Sequence, residues 1–111
     1  MVIFERLLTY GVAPREREIS IKVHAPLQGE HDWSCAYEIG WPGEPRRGFG
    51  YGVDATQAVL LALHSIGADL YTSDYHRSGL LRWERTGGGY GYPVPRTIRD
   101  LLVGDDAKSY G

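Results

Sequence analysis

The sequence predicts an α+β domain: an antiparallel four- to five-stranded meander sheet packed by one long helix, followed by a short C-terminal helix. Three observations predict it. Glu18–His24 and Trp33–Trp41 alternate with a period of two, as strands do when one sheet face is buried and the other is wet. Asp54–Tyr71 repeats apolar residues at the helical period. The strand connections are short and marked by Gly and Pro, which favours neighbouring antiparallel strands.

Val2–Tyr10, with Ile3, Leu7 and Leu8, reads as the first strand, and GVAPRE (Gly11–Glu16) as a turn. In the second strand, Glu18–His24, Ile19, Ile21 and Val23 share one face. Ala25–Asp32 reads as a loop. In the third strand Trp33, Cys35, Tyr37, Ile39 and Trp41 share a face, and PGEP (Pro42–Pro45) turns the chain. The fourth strand, Arg46–Val53, sets Phe49, Tyr51 and Val53 against a bare face of Gly48, Gly50 and Gly52. Such a face admits another backbone or a large side chain.

Asp54 suits the N-cap of the long helix, with Gln57 three residues on as in a capping box. Val59, Ala62, Leu63, Ile66 and Leu70 form the expected core face, with Gly67 at its edge packing on the sheet. Leu60, Leu61, His64, Ala68 and Tyr71 fall on a second face with few charges. That face is expected to be covered by the C-terminal segment, a second subunit or a partner. Tyr75–Gly79 reads as a loop, Leu80–Arg85 as a short fifth strand, and Thr86–Pro95 as irregular chain. Pro95–Val103 reads as a short helix ended by Gly104. Residues 1–104 are thus expected to form one domain and residues 105–111 a flexible tail.

A chain of 111 residues is long enough for one core. The net charge of −2 gives no reason to expect general nucleic-acid binding. Cys35 is the only cysteine, which rules out an internal disulfide and paired-cysteine zinc frameworks. No basic–apolar–small leader pattern and no apolar run of membrane-spanning length occur, so a cytoplasmic protein is expected.

The chemical motifs are weak. GGGYGY (Gly87–Tyr92) lacks the Lys-Ser/Thr of a P-loop and follows, rather than occupies, the strand-to-helix junction. GYGVD (Gly50–Asp54) lacks GxGxxG. His31, Asp32 and Cys35 have no fourth ligand at fixed spacing, and no nucleophile motif surrounds Cys35. No cofactor, metal site or catalytic residue is assigned. The strongest constellation follows the long helix: Tyr71, Asp74, Tyr75, His76 and Arg77, then Arg82 and Trp83, then Tyr90 and Tyr92 in the glycine-rich loop. Tyr, Trp and Arg dominate protein interfaces. The alternative is a helix C-terminus whose cations complement the dipole.

WSCAYEIG, YGVDATQAVLLALHSIGADLYTSDYH, LLRWE and YGYPVP together resemble an uncharacterised family of small bacterial domains, over roughly residues 15–95. That family shows a similar W-x-C-x-Y-E-I, Y-G-V-D-x-x-Q-A-L, G-x-x-L-Y and Y-P-V-P pattern, with Val59 here in place of Leu. The resemblance implies no activity. Cys35–Leu70 is also loosely similar to antitoxins that place a short meander before one helix, and small immunity proteins share this size. The leading expectation is a non-enzymatic protein-binding module, an immunity or antitoxin-like protein that neutralises a partner toxin through the nine residues named above. One alternative is a small ligand-binding domain or enzyme using Tyr75–Arg85 and the glycine-rich loop, which a pocket with converging polar groups would favour. Another is a homodimeric structural subunit joined through Leu60, Leu61, His64 and Tyr71.

Overall fold

The computed structural model describes residues 1–111. Its sheet holds strands β1 (Val2–Tyr10), β2 (Arg17–His24), β3 (Leu27–Gln28), β4 (Trp33–Ile39), β5 (Arg46–Gly52) and β6 (Leu81–Arg82). The main order is β6-β1-β2-β4-β5, all antiparallel, and the two-residue β3 continues the β2 edge of β4. Helix α1 (Ala55–Tyr71) lies across one face, and a one-turn helix α2 (Asp74–Arg77) follows it.

β1, β2, β4 and β5 form the expected meander, but β6 joins β1 at the far edge rather than β5. The helix explains the jump. Seventeen residues at about 1.5 Å each span about 25 Å, which exceeds the four interstrand steps of about 4.8 Å from β5 to β6.

The core face of the sheet carries Leu8, Ile19, Ile21, Val23, Cys35, Tyr37 and Ile39, all buried. The helix meets it with Ala58, Ala62, Ile66 and Leu70, a row spaced by four. Val59 and Leu63, expected in the core, are only half-buried. The correction follows from the β5 glycines. A Cβ at Gly50 would collide with the backbone of Ala58 and Ala62, and one at Gly52 would lie 2.5 Å from Ala58 N. The bare strand face lets the helix backbone settle onto β5, which centres the contact on small alanines. Gly48 admits the Tyr37 ring instead. The Tyr37 hydroxyl donates to Asp69 at 2.5 Å and Arg46 Nε donates to the same oxygen at 2.8 Å, tying α1 to β4 and β5.

The opposite sheet face is open. Cross-strand neighbours Glu5, Lys22, Glu38 and Arg47 alternate in sign along one row, and His24 Nε2 lies 3.0 Å from Glu38. Phe49 and Tyr51 also stand on this face, about half exposed.

The C-terminal quarter departs most from expectation. The short helix expected over Pro95–Val103 is a 3-10 turn, Arg96–Leu101, broken at Ile98. The stretch expected as a flexible tail forms helix α3 (Gly104–Tyr110). Gly104 begins this helix rather than ending the previous one. Gly67 packs on the C-terminal segment, not on the sheet: an added Cβ there would run into the Pro93 carbonyl.

Candidate functional site

The residues after α1 form one connected cluster, built mostly inward. Tyr71, in the last turn of α1, donates its hydroxyl to Asp106 Oδ2 at 2.6 Å. The same carboxylate accepts from the Tyr90 amide and the Gly91 amide, each at 2.8 Å. Asp106 is 2 % exposed, so the α3 helix plugs a buried anion into three donors. Gly89, at φ +90°, brings the loop so close to Asp106 that no side chain fits between them.

Thr72 ends α1, and Ser73 caps α2 by accepting from the His76 amide at 3.1 Å. Tyr75 stacks on Trp41, with centroids 4.3 Å apart and planes within 4°, and meets Tyr10 edge-on. His76 Nδ1 is hydrogen-bonded to the Tyr90 hydroxyl, and its ring packs edge-on to Tyr71. Burial, with the neighbouring Arg77 charge, holds the His76 pKa below its ordinary value. Burial pushes the Tyr71 and Tyr90 phenols far up, helped by Asp106 in both cases.

The guanidinium of Arg6 lies 3.9 Å from the centroid of the Trp83 ring and 5.0 Å from that of Tyr92. It also donates to the carbonyls of Tyr90 and Gly91. Arg82 donates to the Gly11 and Leu80 carbonyls and pairs with Glu16 at 2.8 Å.

Of the nine residues proposed as a partner-contact surface, Tyr71, Tyr90 and Tyr92 are 3 %, 3 % and 7 % exposed and belong to the interior. Their hydroxyls or ring faces are spent on Asp106, His76 and Arg6. Tyr75, His76, Arg82 and Trp83 are half-buried, and the exposed pair Asp74 and Arg77 bond to each other at 2.6 Å. Tyr71 also leaves the proposed dimer face. On that face Leu60 and Leu61 are exposed, while His64 Nδ1 is bonded to the Leu60 carbonyl of its own helix. Neither Asp106 nor Arg6 is legible as a site residue in the sequence. Asp106 sits in a polar tail with no periodic signal, and Arg6 in a strand where a charge reads as solvent-facing.

Cys35 is fully buried, and its thiol donates to the His24 carbonyl at 3.3 Å. Burial pushes its pKa up, which disfavours the thiolate.

Two concavities border the cluster. One of about 330 Å³ lies between α2, β6 and the glycine-rich loop, with His76, Arg82, Arg85 and Tyr90 in its wall. The other is a trough of about 460 Å³ beside β1, lined by Ile3, Phe4, Leu63, Tyr92, Pro93 and Tyr110 together with the charged Glu5 and Arg6. Its strand has an open edge, because β6 pairs only with Thr9 and Tyr10 and Val2–Leu7 have no outer partner. No helix is long and apolar enough to cross a membrane.

A family model described as Domain of unknown function (DUF6968) matches residues 4–94. No curated protein and no solved structure matches the chain.

Proposed function

The chain belongs to the DUF6968 family, and we propose that this member is a non-enzymatic protein-binding module. The observation that supports this reading is the trough beside the open edge of β1, which sets apolar side chains next to Glu5 and Arg6. Ile3 and Phe4, which line it, are 37 % and 54 % exposed. A second hollow between β1 and the start of α1 adds Val59 and Leu60 to the same surface. Unpaired strand groups beside apolar side chains suit an extended segment of another protein, which gains main-chain hydrogen bonds from the edge and specificity from the trough. The contact surface in this reading moves from the Tyr71–Tyr92 cluster to the β1/α1 flank. Its concrete form is an immunity or antitoxin-like protein that occludes a partner toxin.

The test is co-purification with the products of the neighbouring genes, followed by affinity measurement on two surface variants. Phe4→Asp and Leu60→Asp are expected to weaken a stoichiometric partner by tenfold or more, about 1.4 kcal/mol, while Arg77→Ala leaves it unchanged. A partner toxic when expressed alone and silenced by this protein would establish the inhibitor form. A partner insensitive to both aspartate variants, or none at micromolar concentration, would sink the reading.

A further inference from the structure

The hollow between α2 and the glycine-rich loop is not used by the surface just described. Its charged lining residues are Arg82 and Arg85, and no carboxylate joins them. Their acidic partners, Glu16 and Asp105, stand outside the wall. Arg82 is fixed by the Gly11 and Leu80 carbonyls. Arg85 is not: its pair with Asp105 is 3.2 Å long with both side chains about two-thirds exposed, so it is worth little and the guanidinium can turn inward.

The remaining polar groups are donors as well. The Tyr90 hydroxyl and His76 Nδ1 are hydrogen-bonded to each other; with the phenol as donor, the neutral imidazole carries its proton on Nε2, for which the chain supplies no acceptor. The amides of Thr86, Gly87 and Gly89 likewise make no hydrogen bond within the chain, while Gly88 bonds back to Arg85. Gly87 and Gly89 both have positive φ, which lets the loop turn tightly around the hollow. Leu81 and Val103 supply an apolar wall.

The geometry points to a binding site for a small molecule with an oxyanion head group, phosphate or carboxylate, held by Arg85, the glycine-loop amides and His76 Nε2. A volume of about 330 Å³ is at the small end for ligand pockets, which fits a head group with a short apolar body.

The test titrates the isotope-labelled full chain with inorganic phosphate and, separately, with acetate at constant ionic strength, read by NMR. Saturable shifts at the Gly87 and Gly89 amides and at His76 Nε2 are expected. Arg85→Gln should weaken binding about tenfold, the loss of one charge-assisted contact, and Arg85→Lys should retain most of it. Response to phosphate alone or to acetate alone identifies the head group. Shifts that are absent or non-saturating with both anions up to tens of millimolar overturn the proposal, as do shifts unchanged by Arg85→Gln.

Discussion

The Tyr71 hydroxyl and the Asp106 carboxylate meet at 2.6 Å across 35 positions of chain, and both groups are buried. This contact joins the end of α1 to α3, and through the Tyr90 and Gly91 amides it fixes the glycine-rich loop. Asp106→Ala strands two buried donors and the part-buried Gly91 amide, at ~1–3 kcal/mol for each buried one. Urea unfolding is expected to show a loss of about 3 kcal/mol or more. Tyr71→Phe, which leaves the carboxylate on two amides, is expected to cost about 1–2 kcal/mol. A loss below ~1 kcal/mol for Asp106→Ala would mean that α3 does not hold the loop.

Gly67→Ala tests the same strap from the other side. The new methyl has no room beside the Pro93 carbonyl, so the loop must lift from α1. Faster hydrogen exchange and proteolysis within 86–95 are expected, with the sheet amides unchanged. Equal protection in both proteins would refute the contact.

The helix–sheet interface predicts an order among three substitutions. Ile66 is fully buried at its centre, so Ile66→Ala is expected to cost about 2–5 kcal/mol. Leu63 is half-buried at the margin, so Leu63→Ala should cost about 1–2 kcal/mol. Gly50→Ala adds a methyl against helix backbone that cannot rotate away, and about 1–3 kcal/mol is expected from overpacking. Denaturation midpoints that place Leu63→Ala above Ile66→Ala would show that the helix is seated on its other edge.

Stability is expected to fall at both ends of the pH range. The His76 pKa is depressed in the folded chain from the ordinary value of 6.5. The unfolded state therefore binds the proton first, and stability present above about pH 6.5 is lost as the pH falls through the folded value. His76→Asn should flatten this acid limb. Tyr37, Tyr71, Tyr90 and Tyr92 are raised above 10.0, so their contribution is complete below pH 10 and is lost as the pH rises beyond it. Ultraviolet titration should find four of the eight tyrosines resistant to ionisation until the chain unfolds. Eight normal phenols in a still-folded chain would contradict the burial.

Period and punctuation alone determined β1, β2, β4, β5 and α1, including the Asp54 cap, whose side chain accepts from the Gln57 amide at 2.8 Å. Those features were legible because each depends on neighbours within a few residues, where alternation and capping chemistry act. Only the tertiary structure decided which way the Tyr71–Tyr92 cluster faces. Tyrosine suits an interface or an interior equally well, and the choice rested on Asp106 and Arg6, which lie far away in sequence. It also decided that the row Ala58, Ala62, Ile66 and Leu70, not Val59 and Leu63, meets the sheet. A helical period fixes which residues share a face, but how deeply each sinks depends on what the opposing strand lacks. Here the missing side chains of Gly50 and Gly52 set the seat of the helix, and no local pattern in α1 records them.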